Sequence, residues 1–342
     1  MHVRLVSFDA LPILSWPGTS SFGQVFNPSW VGGTKPGLLV RTQNCTAVVG
    51  KCVRCSGNGS AASVLTFSAQ QLNRKGGPPT YAPLDRASVV FGPHDATDDL
   101  GTEDPRVTFD ASSGTFYMFY TCYNSGATPH PRVTLCLATT VDPSSAIGWV
   151  RHGPVGLPAG SKSGALLLRP STAAEPEPEH MLFWGAGTIR LSRSRNLSHW
   201  PVGVPFITNT SFGNPLVEMG PPPLPLSSGD FVLFHNSWNA AFPAPPGYQP
   251  AWAVLSGADP SRIVARATEP LWSPQRAAWL TGQPPAYCNV PNVAFVEAAH
   301  ATPEPDTFRL YFGGADAVVG TAVVRVELGG PAGGVIVVEE YM

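Results

Sequence analysis

Apolar and polar residues alternate with a period of two along most of the chain, and no long stretch repeats apolar residues at i, i+3, i+4 and i+7. The strand-like segments come in pairs: 37–41 with 63–68, 107–120 with 133–139, 165–168 with 180–194, 231–235 with 251–256, and 290–296 with 308–326. They recur as sheet units at a coarse period of about 50 to 65 residues, which is the pattern of radial or sandwich repetition. Short phrases echo one another: LCLATT at Leu135, IRLSRS at Ile189, AWAVLS at Ala251 and GTAVVR at Gly320 each read as an inner or second strand of a blade. The pattern predicts an all-β fold, a five-bladed β-propeller, as a single domain over residues 1–342 with its core at about 20–330. In such a ring the entrances of the innermost strands gather at one pocket, so side chains distant in sequence converge.

One segment stands out within this pattern. Residues 101–124 read GTEDPRVTFDASSGTFYMFYTCYN. Asp hydrogen-bonds its own backbone readily and Pro105 restricts Asp104, so Thr102, Glu103, Asp104, Pro105 and Arg106 are expected to form a tight turn. The hairpin that follows alternates Val107 and Phe109 with polar neighbours, turns at 111–114 and returns through aromatic, β-forming residues. A carboxylate is thereby presented at a strand entrance.

Composition supports many short strands joined by turns. Of 342 residues, 35 are Gly and 37 are Pro, and only 13% are charged, about half the usual quarter. Residues 171–179, STAAEPEPE, read as a solvated loop. A formal charge of −2 offers no electrostatic footprint for nucleic acid or an anionic membrane surface, so neither is an expected partner. No apolar run approaches the roughly 18 residues that span a bilayer, and residues 3–14 are interrupted by Arg4 and Asp9, so neither a span nor a signal peptide is expected. The protein is expected to be soluble. The cytoplasm is favoured over a secretory route, which N-x-S/T sequences at Asn44, Asn58, Asn196 and Asn209 keep open.

Six cysteines occur, at 45, 52, 55, 122, 136 and 288. Cys52 and Cys55 form a CxxC with Cys45 nearby, but no second CxxC or His pair completes a zinc set, so a local disulfide or free thiols are expected there and no metal. Cys122 and Cys136 lie in apolar strand patterns and are expected as buried free thiols.

The ordered series of motifs resembles glycoside hydrolase family 130, five-bladed propellers that cleave β-mannosides, mostly by phosphorolysis. The resemblance runs from about Asn27 to Val326. Asn27-Pro28 and LLVR ending at Arg41 resemble the family's first blade, and GTEDPR at Gly101 is similar to its catalytic turn. SKSGALLL around Lys162, IRLSRSRNLSHW at Ile189, EMGPPPLPLSSGDFVLFHNS at Glu218, DPSRIVARATEPLWSP at Asp259, VPNVAF at Val290 and YFGGAD at Tyr311 follow in the family's order. The departures bear on specificity: residues 45–59 replace the usual Ser-x-Asp-Gly turn, the histidine phrase is HNS, and Ser163 follows the lysine instead of an acid.

The resemblance implies an inverting phosphorylase that converts a β-1,2- or β-1,4-linked manno-oligosaccharide and inorganic phosphate into mannose 1-phosphate, reversibly, with no cofactor. A conventional glycosidase needs two carboxylates. Phosphorolysis needs one acid and a cationic cradle, because phosphate is itself the nucleophile. The resemblance makes Asp104 that acid, acting through the sugar's 3-hydroxyl. Asp104 must then hold a proton near neutrality, which burial and Glu103 favour and Arg106 opposes. Arg132, Arg151 and Lys162 are implied as phosphate ligands, and His235 as a pocket donor. Asn27, Arg41, Glu103 and Asp316 are implied to hold the sugar, with Trp16, Trp30, Trp238 and Trp252 available to stack on it. Three other readings stand beside this one: a β-mannoside hydrolase, for which Glu218 and Glu297 are the nearest second carboxylates; a β-mannosyltransferase on the same fold; and a non-catalytic glycan-binding propeller. A homo-oligomer is compatible with all of them.

Overall fold

The computed structural model describes residues 1–16, 18–44, 62–71, 79–126, 133–171, 173, 175–239, 246–283 and 289–329, together with the backbone alone of 47–49, 52–54 and 132. Its strands form five antiparallel sheets arranged as the blades of a propeller. Blade 1 runs outward through Gln24–Val31, Gly37–Gln43 and Val64–Gln71, with Thr80–Tyr81 and Val89–Phe91 both pairing the third strand. Blade 2 comprises Gly101–Asp110, Thr115–Asn124, Arg132–Thr140 and Val150–Pro154. Blade 3 comprises Ala165–Leu167, His180–Trp184, Ile189–Ser194 and Val204–Ile207. Blade 4 comprises Leu216–Met219, Phe231–Asn239, Gly247–Leu255 and Ile263–Arg266. Blade 5 takes Ala294–Ala301, Thr307–Gly314 and Val318–Glu327 from the end of the chain, and its outer strand, His2–Phe8, from the beginning. That closing strand lies outside the core expected at 20–330.

The hydrophobic interior follows from this geometry. A blade is covered on both faces, so its middle strands bury side chains on both sides, and the apolar residues gather in five seams between adjacent blades. Met118, Tyr120 and Val31 lie in the seam of blades 1 and 2, and Phe119, Leu182 and Trp200 in that of blades 2 and 3. Phe183, Met219 and Leu233 fill the next, Phe234, Phe308 and Phe312 the fourth, and Tyr311, Leu38 and Val40 close the ring. Trp200, fully buried, sits edge-on to Phe119 with ring centroids 6.1 Å apart. Trp30 of blade 1 stacks on His300 of blade 5 at 4.0 Å, and Trp252 is buried in the fourth seam, so both serve packing between blades.

Three expectations are corrected. LCLATT, IRLSRS, AWAVLS and GTAVVR are the third strands of their blades, not inner or second ones. A third strand is shielded by its neighbours in the sheet and by both adjacent blades, so it carries an apolar pattern like that of an inner strand. The first strand borders the channel and carries the polar groups. Residues 102–106 do not form a turn before a hairpin; they lie inside the continuous first strand Gly101–Asp110, as a bulge. Cys122 and Cys136 are joined as a disulfide, because the register sets Cys136 opposite Tyr120 and thus diagonal to Cys122 on one sheet face. Cys45, Cys55 and Cys288 and the side chain of Cys52 lie outside the described residues. Among the described residues no helix is long and apolar enough to cross a membrane.

Candidate active site

The first strands of blades 5, 1, 2 and 3 pack side by side in that order, and each of the five blades brings a polar residue to the channel from its first strand or just before it. In blades 1, 2 and 5 the ladder slips there. Asn27 falls in the irregularity between Phe26 and Pro28, Asp104 in the one facing Phe119 and Thr121, and Glu297 in the one between Val296 and Ala298. A bulge frees one residue from strand pairing and re-aims its side chain. Asn27 and Asp104 take left-handed backbone, φ 50° and 49°, which short Asx side chains tolerate best among non-glycine residues. Ser163, at φ 58°, plays the same part immediately before the first strand of blade 3. Glu218 completes the set from blade 4.

Asp104, 6% exposed, is the centre of the contacts. Its Oδ1 accepts from Asn27 Nδ2 at 2.7 Å and from Arg41 Nη1 at 2.8 Å. The other arm of Arg41 reaches Glu103 Oε1 at 2.6 Å, and Ser63 Oγ donates to that oxygen at 3.0 Å. Gly313 permits this packing: a Cβ there would stand 3.2 Å from Asn27 Oδ1. Across the channel Glu218 Oε1 receives Ser163 Oγ at 2.6 Å and Lys162 Nζ at 3.0 Å, and Tyr248 Oη donates to Oε2 at 3.2 Å. Trp238 packs edge-on against Tyr248 at 5.1 Å.

Below these groups the Arg106 guanidinium, fully buried, lies 2.7 Å from Glu297 Oε1. Its hydrogen bonds go to carbonyls, so the contact with Glu297 is one of charge, and neither Glu297 oxygen has a hydrogen-bond partner among the described residues. Past this pair the channel widens into a cavity of about 800 Å³ lined by Trp30, Phe109, Leu168 and His300. Trp30, Phe109 and His300 follow Asn27, Asp104 and Glu297 on the same first strands, and Glu297 lines this cavity as well.

The charges do not balance. Five carboxyls, Glu103, Asp104, Glu218, Glu297 and Asp316, share a field with three cations, Arg41, Arg106 and Lys162. Some of the acids must therefore hold protons. Burial would raise Asp104, but Arg41, Arg106 and Lys162 outweigh it and hold this carboxyl below its usual value. In the unliganded protein it is a carboxylate, contrary to the proton expected on it from the sequence. Burial raises Glu297 well above its usual value, raises Glu103, and pushes Asp316 up to about 7 with help from Asp104 and Glu218. Burial would lower Lys162, yet Glu218 and Asp104 hold it above its ordinary value, so it stays charged.

Asp316 gives a test of this field. Its folded value of about 7 lies above the ordinary 3.8, so the unfolded chain releases this proton more readily. Stability is then lost as pH rises from about 4 to about 7, by at most about 4 kcal/mol at about 1.4 kcal/mol per pH unit. Asp316→Asn is expected to raise Tm at pH 8 and to leave it almost unchanged at pH 4. Equal effects at the two pH values in thermal melts would contradict the assignment.

Of the residues named from sequence, Asn27, Arg41, Glu103, Asp104, Lys162 and Asp316 come together. Arg151 does not. It lies on the outer strand of blade 2, at the opposite edge from Asp104, paired with buried Asp98 and held over the Phe91 ring at 3.7 Å. His235 is 2% exposed, with Nδ1 unpartnered, and burial lowers it to about 4. The charge it feels is that of Arg266. The side chain of Arg132 lies outside the described residues. Ser63 and Tyr248 had no sequence signal; only the closure of the ring brings them in.

The model of glycoside hydrolase family 130, described as β-1,4-mannooligosaccharide phosphorylase, matches residues 83–328. The chain belongs to glycoside hydrolase family 130. Within the family it is 30% identical over 237 residues to the 1,2-β-oligomannan phosphorylase of Thermoanaerobacter sp. (strain X514), covering 66% of this chain and 69% of that one. Solved structures of the family share its fold. The structure reported with mannoside hydrolases that target β-1,2 linkages in Candida mannan superposes with a TM-score of 0.70 at 22% identity, covering 94% of each chain. The β-1,2-mannobiose phosphorylase of Listeria innocua, in complex with β-1,2-mannobiose, also gives 0.70, at 15% identity and 94% and 96% coverage.

Proposed function

We propose that the protein is an inverting β-mannoside phosphorylase that transfers a terminal mannosyl unit of a β-1,2- or β-1,4-linked manno-oligosaccharide to inorganic phosphate, giving mannose 1-phosphate. The observation that carries this reading is a buried carboxylate, Asp104, in the field of a charged lysine, Lys162, within the channel of a family 130 propeller. The relatives named above supply the substrate class, and the 30% identical one acts on β-1,2 linkages.

In this reading Asn27, Arg41 and Asp316 bind the mannosyl hydroxyls. Phosphate lies beside Lys162 on the opposite side of the scissile bond. Asp104 takes a proton from solvent as the dianion binds and passes one through the 3-hydroxyl to the leaving oxygen, while the proton that HPO₄²⁻ loses as its oxygen bonds to C1 returns to solvent, so protons balance over the cycle. A dianion beside Lys162 also offsets the positive field that keeps Asp104 ionised, and so favours protonation of the acid when it is needed. No cofactor enters the scheme.

Glu218 gives a specific reason to keep hydrolysis as the second reading. It already occupies Lys162 at 3.0 Å, where phosphate would sit, and a carboxylate there could instead activate water. The deciding experiment incubates the protein with β-1,2- and β-1,4-mannobiose, with and without phosphate, and follows mannose 1-phosphate by ³¹P NMR. Mannose released at the same rate without phosphate would replace phosphorolysis by hydrolysis, and absence of turnover with both sugars would remove both. For the compartment, we infer an oxidising secretory route over the cytoplasm, from the Cys122–Cys136 disulfide and the exposed sequon residues Asn196 and Asn209.

A further inference from the structure

Arg106 follows Asp104 by two residues on the first strand of blade 2, and its environment is unusual for a guanidinium. It is 1% exposed, and three of its hydrogen bonds go to main-chain carbonyls. Nη1 donates to the carbonyl of Asp104 at 2.9 Å, Nη2 to that of Met219 at 2.9 Å, and Nε to that of Gly220 at 3.3 Å. These carbonyls belong to blades 2 and 4, and Glu297 of blade 5 supplies the adjacent carboxyl. One planar group therefore joins three of the five blades at the level of the cluster.

The bulge explains why it is needed. Glu103 pairs with Thr121 and Arg106 with Phe119, so Asp104 has no partner in the ladder. A buried carbonyl without a donor is costly, and a left-handed aspartate persists only where its surroundings over-determine it. Arg106 supplies the donor and holds the peptide. Its other two bonds fix the carbonyls of Met219 and Gly220, directly after Glu218. Only glycine fits at this close approach, because a Cβ on residue 220 would stand 2.5 Å from the Phe234 carbonyl oxygen and 3.0 Å from that of Val296. Lysine presents one point charge and cannot serve three acceptors in a plane.

We propose that Arg106 is a positioning residue that locks the Asp104 backbone in its left-handed conformation and ties it to the Glu218 segment, so that the acid and the group opposite keep a fixed separation. The catalytic part of this claim rests on the reading of Asp104 as the acid. The geometric part does not. Arg106 also adds to the field that holds the Asp104 carboxylate ionised, which gives a measurement independent of turnover.

The experiment compares the wild type with Arg106→Lys and Arg106→Gln in their folded, monodisperse fractions, with Tm measured for each. Carboxyl ¹³C NMR titration of the unliganded proteins follows Asp104, assigned by its loss in Asp104→Asn. In Arg106→Gln the Asp104 titration is expected to move upward by at least one pH unit. In Arg106→Lys, which keeps the buried charge, it should stay near the wild-type value. Kinetically, both variants should lose at least tenfold in kcat with KM for the mannoside changed less than threefold, a pattern that partial unfolding, corrected by active fraction, does not give. Wild-type kcat in Arg106→Lys would overturn the proposal, as would an Asp104 titration unmoved in Arg106→Gln. Should the wild type itself turn over no mannoside, the functional reading fails, and the titration alone decides whether Arg106 governs Asp104. Arg106→Lys carries the test if Arg106→Gln does not fold.

Discussion

Asp104→Asn is expected to lower kcat by about 10²–10⁴-fold, the usual contribution of a general acid, while the fold stays intact. Asparagine keeps an oxygen where Oδ1 now accepts from Asn27 and Arg41, so the hydrogen-bond frame survives. It also removes a carboxylate that the positive field of Arg41, Arg106 and Lys162 holds ionised, so Tm at neutral pH is expected to fall, and the kinetics are compared on the folded fraction. The loss should depend on the leaving group. With 4-nitrophenyl β-mannoside, whose phenolate leaves without protonation, the variant should recover most of its deficit. Steady-state kinetics on mannobiose and on the aryl mannoside make the comparison, and a variant retaining a tenth of wild-type kcat on mannobiose would take Asp104 out of the role of acid.

Lys162→Met is the second large effect. Lys162 is the cation opposite Asp104 that is partly open to solvent, with 33% of its side chain exposed, whereas Arg106 is sealed and Arg41 is engaged by Glu103 and Asp104. Removing it should reduce kcat/KM for phosphate by about 10²–10³-fold, the scale of deleting one preorganised donor to a developing charge. Glu218 would still receive Ser163 Oγ and Tyr248 Oη, so the local structure has reason to persist. Initial rates against phosphate concentration measure the effect. An unchanged KM for phosphate would place the cradle elsewhere, and a loss of mannoside binding alone would make Lys162 a sugar ligand.

The blades were readable because every strand pair carried its own alternation and its own turn, and such signals are local. The same locality misplaced residues 102–106. An Asp-Pro step flanked by charges has the composition of a turn, and Asp104 does adopt a turn-like dihedral, but within a strand whose charges are absorbed by Arg41, Met219, Gly220 and Glu297 from other blades. Those partners lie tens to hundreds of residues away, and no periodicity announces them. Asp104, Asn27, Arg41, Lys162 and Asp316, each in a compact motif of the family resemblance, are brought together by the fold. Arg151 was misplaced for a different reason: an arginine on an outer strand looks the same in sequence whether it faces a ligand or caps a buried aspartate such as Asp98. The disulfide needed the strand register, which two cysteines in two apolar strands do not disclose.

Among the described residues the strand that closes blade 5 precedes every other strand, and its partner, Val318–Glu327, follows every other. During synthesis from the amino end, His2–Phe8 must therefore wait, unpaired, while four blades are made. The contacts of Asn27 and Arg41 with Asp104 need only blades 1 and 2 and that of Lys162 with Glu218 only blades 3 and 4, but the whole set reaches a common centre only when the ring shuts. Catalytic competence would then appear late and all at once on the folding timeline, and the appearance of activity would time the seating of that first strand.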